Sequence, residues 1–216
     1  MSNTHKAIIF DMDGVIIDSE KLWKQAEQEV FSSLGVIVSD EHTEITKSMT
    51  TAAVTKFWFD KFPWQHISLQ AAEQKVIARV IELISTEHCE IHGVKAFIER
   101  LKAKGYKIGL ATNSPNNIIP PVLQKIDAMH LFDTVSSAEF EVNGKPDPAI
   151  YLTTAAKLDV TAINCIAIED SYTGMLAAKN AGMQVVAFTN NNAGTSFDIA
   201  DFTIHRFDDF DIDRLN

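Results

Sequence analysis

Cysteine, long apolar runs and positive charge are all scarce in this sequence. Cys89 and Cys165 are the two cysteines among 216 residues, too few to indicate a disulfide framework, and Cys165 lies in an apparent buried strand. The apolar runs are only a few residues long, so no membrane-spanning segment is predicted. The net charge of −10 argues against a nucleic-acid partner.

The N-terminus also lacks a feature, since "MSNTHKAIIF" has neither the charged start nor the long apolar stretch of a secretion signal. We therefore expect a cytoplasmic protein, and a monomer is the default expectation. The apolar share of 46% and the charged share of 22% are ordinary for a globular protein. The acidic tail is expected to form a solvated surface; its charged residues are Asp198, Asp201, Arg206, Asp208, Asp209, Asp211, Asp213 and Arg214.

Short apolar runs alternate with helical patterns from residue 93 onward. In "VKAFIERLKAKG", for example, Val94, Phe97, Ile98 and Leu101 share one helical face. Repeated strand–helix units predict an α/β fold with a doubly wound, Rossmann-like parallel sheet. Five strands are predicted, in "KAIIFD", "YKIGLAT", "FDTVSSAE", "NCIAIED" and "MQVVAFT".

Residues 18–88 interrupt this alternation with apolar stripes at helical spacing and no strand signal. Leu22, Ala26 and Val30 belong to one stripe, and Val76 and Val80 belong to another. We therefore predict an inserted helical domain at 18–88, between a first core segment at 1–17 and a second at 89–216.

Polar residues follow four of the predicted strands. Ligands of open parallel sheets bind beyond the carboxyl ends of the strands, so these positions are the first candidates for a site. They are, in strand order, Asp11, Asp13 and Gly14; Thr112, Asn113 and Ser114; Lys145; and Glu169 and Asp170.

The acids in this set indicate a divalent cation. Asp11 and Asp13 stand one residue apart after a buried strand, where their charges repel each other unless a positive group lies between them. With Asp170 and the adjacent Glu169 they supply hard oxygen ligands of the kind that Mg²⁺ prefers. A magnesium ion there would relieve the repulsion and leave room for a phosphate oxygen.

The segments "DMDGVIIDSE", "LATNSP", "GKPDP" and "IEDSYTGMLAAKNAGM" resemble, in order, the four motifs of the haloacid-dehalogenase-like hydrolases. The resemblance spans nearly the whole chain, and the ordered set is far more specific than any single motif. The helical insertion resembles the cap domain of the branch that holds β-phosphoglucomutase and small sugar phosphatases. The resemblance implies a Mg²⁺-dependent enzyme acting on a small phosphorylated metabolite, most simply a sugar phosphate.

The resemblance also implies roles for individual residues. Asp11 would be the nucleophile that forms an aspartyl-phosphate. Asp13 would protonate the leaving oxygen and then activate the hydrolytic water, while its backbone carbonyl contacts the metal. Asp170 would bind Mg²⁺ directly, and Glu169 directly or through water. The other implied contacts are to phosphate or substrate: Lys145 to Asp11 and the transferring group, Thr112 and the amide of Asn113 to phosphate oxygens, and Gly14 to the substrate. The position of Glu20, at the start of a predicted helix, has two interpretations: it accepts hydrogen bonds from sugar hydroxyls, or it is an ordinary surface acid.

A phosphosugar mutase is the nearest alternative. A mutase must hold a second phosphate, and β-phosphoglucomutases carry a Gly and an Arg early in the cap for this purpose. The segment "TEITKSMTTAAVTKFW" has neither, and the first arginine of the chain is Arg79. Lys47 or Lys56 could replace the missing arginine.

Other readings account for less of the sequence. A dehalogenase needs no metal and lacks an acid at the position of Asp13, and a signalling receiver is about half this length without a helical insertion. "HCEIH" could suggest zinc, but no second pair of Cys or His stands at suitable spacing. The aromatic residues of the insertion are expected to form its core, with one or two facing the substrate.

Overall fold

A computed structural model describes residues 7–46, 49–192, 197–208 and 210–215. Its sheet contains six parallel strands in the order β3-β2-β1-β4-β5-β6. The strand bounds are β1 Ala7–Phe10, β2 Lys107–Thr112, β3 Thr134–Ser137, β4 Cys165–Glu169, β5 Gln184–Phe188 and β6 Phe202–Ile204.

The five predicted strands are confirmed, but the predicted strand number was one too low. The missed strand, β6, pairs in parallel with β5 and has only three residues, of which Ile204 is buried. Four of the five predicted strands contain several consecutive apolar residues, whereas β6 has an exposed threonine between two apolar residues and lies within the acidic tail. Its neighbour Phe207 is buried and stacks on Phe188 of β5, with ring centroids 4.2 Å apart.

Helices cover both faces of the sheet, which confirms the doubly wound α/β fold. They are α5 Val94–Ala103, α6 Ile119–Lys125, α7 Ala149–Lys157 and α8 Tyr172–Asn180. Alternate residues of β1 enter two separate hydrophobic clusters, as expected when successive side chains point to opposite faces. Phe10 packs in the cluster that contains Phe97 of α5, and Ile9 packs in the cluster that contains Met175 of α8.

In the described residues, four helices lie between β1 and α5, in the part of the chain where the sequence predicts a helical insertion. Their bounds are α1 Glu20–Ser33, α2 Asp40–Thr46, α3 Thr51–Lys61 and α4 Leu69–Thr86. Aromatic residues do form much of their interior: Phe31 of α1 contacts Trp58 of α3 at 6.1 Å and Trp64 at 6.0 Å between ring centroids. Over the described ranges, none of the helices has the length and apolarity needed to cross a bilayer.

The chain leaves and re-enters the sheet region through two paired segments. The backbone N–H of Asp18 donates to the carbonyl of Cys89 at 2.7 Å, and Ile17 forms an antiparallel bridge with Glu90. The "HCEIH" segment therefore lies where the four helices end. The domain bounds of 18–88 and of the flanking core segments remain a prediction.

Candidate active site

The carboxyl ends of the central strands open on a cavity of about 760 Å³. Strand ends form its floor, and residues of α1, α2 and α3 line the opposite side, among them Trp23, Thr46 and Val54. The cavity brings together eight of the nine predicted site residues, namely Asp11, Asp13, Gly14, Glu20, Thr112, Asn113, Lys145 and Asp170. The ninth, Glu169, is fully buried beside them.

A buried lysine joins two acids from different strands. The Nζ of Lys145 donates to Oδ1 of Asp11 at 2.5 Å, to Oε1 of Glu169 at 2.6 Å and to the carbonyl of Ala111 at 2.9 Å. These three bonds use the three protons of the ammonium group. Burial alone would lower the pKa of Lys145, but its contacts with Asp11 and Glu169 raise the pKa above its usual value.

Two hydroxyl groups hold the carboxylate of Glu169. The Tyr151 hydroxyl on α7 donates to Oε1 at 2.5 Å, and the Ser171 hydroxyl donates to Oε2 at 3.3 Å. Burial and the nearby acids raise the pKa of Tyr151, so the phenol remains a hydrogen-bond donor at neutral pH. Gly174 of α8 lies so close that a Cβ there would overlap the Glu169 carboxyl group.

Three carboxylates lie within reach of one cation. Oxygen atoms of Asp11, Glu169 and Asp170 all lie within 4.8 Å of one another. Burial raises the pKa of both Asp11 and Asp170, and the surrounding acids add to the effect while Lys145 opposes it. A Cβ at Gly14, which has a φ of 79°, would overlap the Asp170 carboxyl group. The absence of a side chain at Gly14 therefore allows the Asp170 carboxyl group to lie against the backbone.

Asp13 is held by donors from two parts of the chain. Its Oδ1 accepts from the Ser19 hydroxyl at 2.5 Å and from the Trp23 indole at 2.9 Å. Its Oδ2 accepts from the Ser114 hydroxyl at 2.7 Å and from the Thr112 hydroxyl at 3.4 Å. The side chain thus links the start of α1 to the loop after β2.

Backbone N–H groups donate to two side chains of the segment that ends β2 and begins the following loop. The Thr112 hydroxyl accepts the backbone N–H of Ser114 at 3.0 Å, and the Asn113 side-chain oxygen accepts the backbone N–H of Lys145 at 2.9 Å. Thr112 and Asn113 both line the cavity. Glu20 also lines it, at the exposed start of α1.

Sequence reasoning missed Ser19 and Tyr151 and left the role of Trp23 open. A serine before a helix usually caps it, but the Ser19 side chain makes no capping bond and contacts Asp13 instead. Tyr151 is spaced like an ordinary core residue of α7. The sequence signal that could have identified it is a tyrosine at a position where α7 faces the core, because a buried tyrosine hydroxyl needs a hydrogen-bond partner.

The fold and the strand-end cavity together define a doubly wound α/β enzyme with a helical insertion after the first strand. The profile of the family described as "Haloacid dehalogenase-like hydrolase" matches residues 8–188. The chain belongs to this family, and the resemblance inferred from its four motifs is confirmed.

Two curated relatives and one solved structure illustrate the similarity. Hexitol phosphatase B of Escherichia coli (strain K12) is 40% identical over 83% of this chain and 82% of its own length. Beta-phosphoglucomutase of Bacillus subtilis (strain 168) is 30% identical over 84% of this chain and 82% of its own length. The crystal structure of CbbY from Rhodobacter sphaeroides in complex with phosphate superimposes with a TM-score of 0.85 at 23% identity, covering 95% of this chain and 96% of that one.

The similarity to hexitol phosphatase agrees with a second resemblance in the sequence. "DSEKLWKQAEQEVFSSLGV" and "FPW" resemble bacterial 2-deoxyglucose-6-phosphatase, which is also described as a hexitol phosphatase.

Proposed function

We propose that this protein is a Mg²⁺-dependent phosphatase of small sugar phosphates that works through an aspartyl-phosphate. One observation carries the proposal: Asp11, Lys145, Glu169 and Asp170, from three separate strand ends, meet at the floor of one cavity. The similarity to hexitol phosphatase B supports phosphate-ester hydrolysis and a hexose or hexitol phosphate as the substrate class.

Asp11 is the proposed nucleophile because its carboxylate lies in the cavity floor and is ion-paired with Lys145 at 2.5 Å. Attack of one carboxylate oxygen on phosphorus forms the aspartyl-phosphate as the bond to the sugar oxygen breaks. The Lys145 ammonium favours the ionised form of Asp11 and so opposes the effect of burial, which raises the pKa of this carboxyl group. It also stabilises negative charge on the transferring phosphoryl group.

Asp13 is the proposed general acid and base. It would give a proton to the leaving sugar oxygen and later take one from the water that hydrolyses the intermediate. Its four hydrogen bonds from Ser19, Trp23, Ser114 and Thr112 fix the carboxyl group at the edge of the same cavity.

The acidic group fits a magnesium ion. Asp11, Glu169 and Asp170 offer hard oxygen donors within 4.8 Å of one another, and their combined negative charge exceeds the single positive charge of Lys145. Asp11 and Asp170 would hold the ion, with the Asp13 carbonyl, and Glu169 would act directly or through water. When bound, Mg²⁺ supplies positive charge that offsets the charge of the phosphoryl group.

The remaining contacts concern the substrate. Thr112 and the backbone amide of Asn113 would bind phosphate oxygens, Gly14 would lie against the substrate, and Glu20 would accept hydrogen bonds from sugar hydroxyls. We also propose that residues 18–88 act as a cap domain over the core segments 1–17 and 89–216, because α1, α2 and α3 supply the side of the cavity opposite the strand ends.

A phosphosugar mutase remains the alternative, since beta-phosphoglucomutase is among the relatives. It would need a cation for a second phosphate. Lys56 is ion-paired with Asp60 at 2.6 Å and does not line the cavity, while Lys47 lies outside the described residues. Lys24 of α1 does line the cavity, so the cation argument alone does not decide between the two reactions. The hydrolase is favoured because hexitol phosphatase B is 40% identical to this chain and beta-phosphoglucomutase is 30% identical.

The test is phosphate release from a panel containing 2-deoxyglucose 6-phosphate, sorbitol 6-phosphate and β-glucose 1-phosphate. The wild type should hydrolyse at least one of the 6-phosphates, and Asp11→Asn should lose activity by at least about 10³-fold because the nucleophile is gone. Asp60→Asn, at an exposed acid outside the cavity, is the matched control and should retain activity.

Folding of each variant is checked by circular dichroism and thermal melting. Substantial turnover by a folded Asp11→Asn variant would remove Asp11 from the nucleophile role. Conversion of β-glucose 1-phosphate to glucose 6-phosphate, without net phosphate release, would replace the hydrolase proposal with the mutase.

A further inference from the structure

Glu27 is an acidic side chain of the cavity to which the proposed chemistry assigns no role. It lies on α1 one helical turn after Trp23, so the two side chains share a face of the helix. Both line the cavity, and the Trp23 indole donates to Asp13 at 2.9 Å. Glu27 therefore lies one turn beyond the proposed general acid, on the helical side of the cavity.

Glu27 differs from the other acids of α1 in having no partner. Glu29 accepts hydrogen bonds from Arg79 at 2.7 Å and from Gln25 at 2.8 Å. By contrast, no hydrogen bond or ion pair engages the Glu27 carboxyl group within the described part of the chain. Burial raises the pKa of Glu27 to about 7, which is the expected effect when a carboxylate loses water and gains no donor.

The charges around Glu27 are predominantly negative. Lys24 and Lys145 are the basic side chains among the described residues that line the cavity, and Lys145 is already paired with two acids. Besides Glu27, five acids line the cavity: Asp11, Asp13, Asp18, Glu20 and Asp170. A bound magnesium ion and the phosphate group would occupy the end near Asp11. The helical end would keep an excess of negative charge.

We propose that the Glu27 carboxyl group accepts hydrogen bonds from hydroxyls of the leaving group and selects uncharged, hydroxyl-rich leaving groups over those that carry a second anion. This inference rests on the proposed phosphatase function. A half-buried carboxylate lacking donors gains them from a polyol. A second carboxylate or phosphate on the substrate would meet the like charges of Asp18, Glu20 and Glu27, which outnumber the one cation of that end, Lys24.

A matched pair of substrates isolates this effect. Sorbitol 6-phosphate and 6-phosphogluconate have the same carbon chain and differ at the far end, where one carries a hydroxymethyl group and the other a carboxylate. The wild type should show a higher kcat/KM for sorbitol 6-phosphate. p-Nitrophenyl phosphate, whose leaving group has no sugar hydroxyls, reports the chemistry without this contact.

Two variants separate the contributions of hydrogen bonding and charge. Glu27→Ala should lower kcat/KM for sorbitol 6-phosphate by about 10- to 100-fold while changing that for p-nitrophenyl phosphate by less than about threefold. Glu27→Gln keeps the shape and an acceptor but removes the charge. It should narrow the preference for sorbitol 6-phosphate over 6-phosphogluconate by roughly tenfold.

Glu29→Gln is the control, because Glu29 lies on the same helix, outside the cavity lining. If thermal melting shows that Glu27→Ala does not fold, the substrate preference of the nearly isosteric Glu27→Gln variant tests the inference. Equal losses on all three substrates, or an unchanged preference in folded Glu27→Gln, would overturn the inference and leave the phosphatase intact. A wild type that releases phosphate from no member of the panel would overturn both.

Discussion

At the residue scale, the backbone of a helix and a buried carboxyl group approach each other closely in the site. Gly174 sits inside α8, where its missing side chain leaves room for the carboxyl group of Glu169. That carboxyl group must in turn reach Lys145 and Tyr151 at 2.6 Å and 2.5 Å. A helical glycine normally weakens a helix, so its presence here reflects the space that the acid needs.

Gly174→Ala should therefore destabilise the protein, although the same change in an ordinary helix interior stabilises it by about 0.5–1 kcal/mol. The added Cβ would overlap a buried, charged group. We expect the free energy of unfolding to fall by roughly 1–3 kcal/mol, the range seen when a packed interior is overfilled. Urea denaturation of the wild type and the variant measures this, and a more stable variant would contradict the close approach described above.

The strand-end residues were predictable individually, whereas their partners were not. Asp11, Lys145 and Asp170 each follow a recognisable strand, and parallel strands bring their carboxyl ends to one edge. The hydroxyl of Tyr151 meets Glu169 because α7 packs on the sheet with a particular rotation. Spacing along the sequence carries no information about that rotation.

Among the elements, α1 has the most direct connection to the site. Ser19 precedes it, Trp23 lies in its first turn region, and both donate to Asp13. The helix also packs through Phe31 on Trp58 and Trp64. Its position relative to Asp13 is therefore fixed at both ends, by hydrogen bonds at one and by aromatic packing at the other.

Trp23→Phe tests the polar contact of α1. The change removes the indole N–H that donates to Asp13 at 2.9 Å and keeps an aromatic ring. We expect kcat to fall by roughly tenfold, because a positioned acid loses one charge-assisted hydrogen bond, with little change in melting temperature.

Trp64→Phe is the control for this substitution. Its buried indole N–H has no hydrogen-bond partner within the described ranges, so its loss should leave kcat unchanged while reducing packing. Equal kcat values for Trp23→Phe and wild type would show that the bond to Asp13 does not matter for turnover.

Strand prediction succeeded for the strands of the strand–helix alternation and failed for β6, which follows β5 with no helix between them in the described residues. The segment "NCIAIED" became β4, which is buried throughout. In β6, only Ile204 is buried, and the strand lies beside several acidic residues, so its sequence is typical of a loop. Pairing with β5 decided its conformation, and a single-sequence pattern does not contain that partner.

At the scale of the whole molecule, the excess negative charge at the site would couple binding of the proposed magnesium ion to stability. Asp11, Glu169 and Asp170 lie together near Lys145. This arrangement exists only in the folded state, because Asp11 comes from a different part of the chain than Glu169 and Asp170. An ion that binds the native state only must raise the free energy of unfolding.

Magnesium should therefore raise the melting temperature, and EDTA should reverse the change. A concentration of 100 times the dissociation constant corresponds to about 2.7 kcal/mol of added stability. Asp170→Asn should lose most of this response, whereas the surface change Asp60→Asn should retain it. A full magnesium response in Asp170→Asn would place the ion elsewhere. EDTA should also abolish turnover, and magnesium should restore it.

The adjacent crossing points at Asp18 and Cys89 bear on how such enzymes diversify. Because the two ends of the inserted segment are neighbours, insertions of very different length could replace it without disrupting the hydrogen bonds between the strands of the sheet. If the inserted helices act as the proposed cap, the phosphate chemistry of the strand ends and the choice of metabolite can evolve at separate rates.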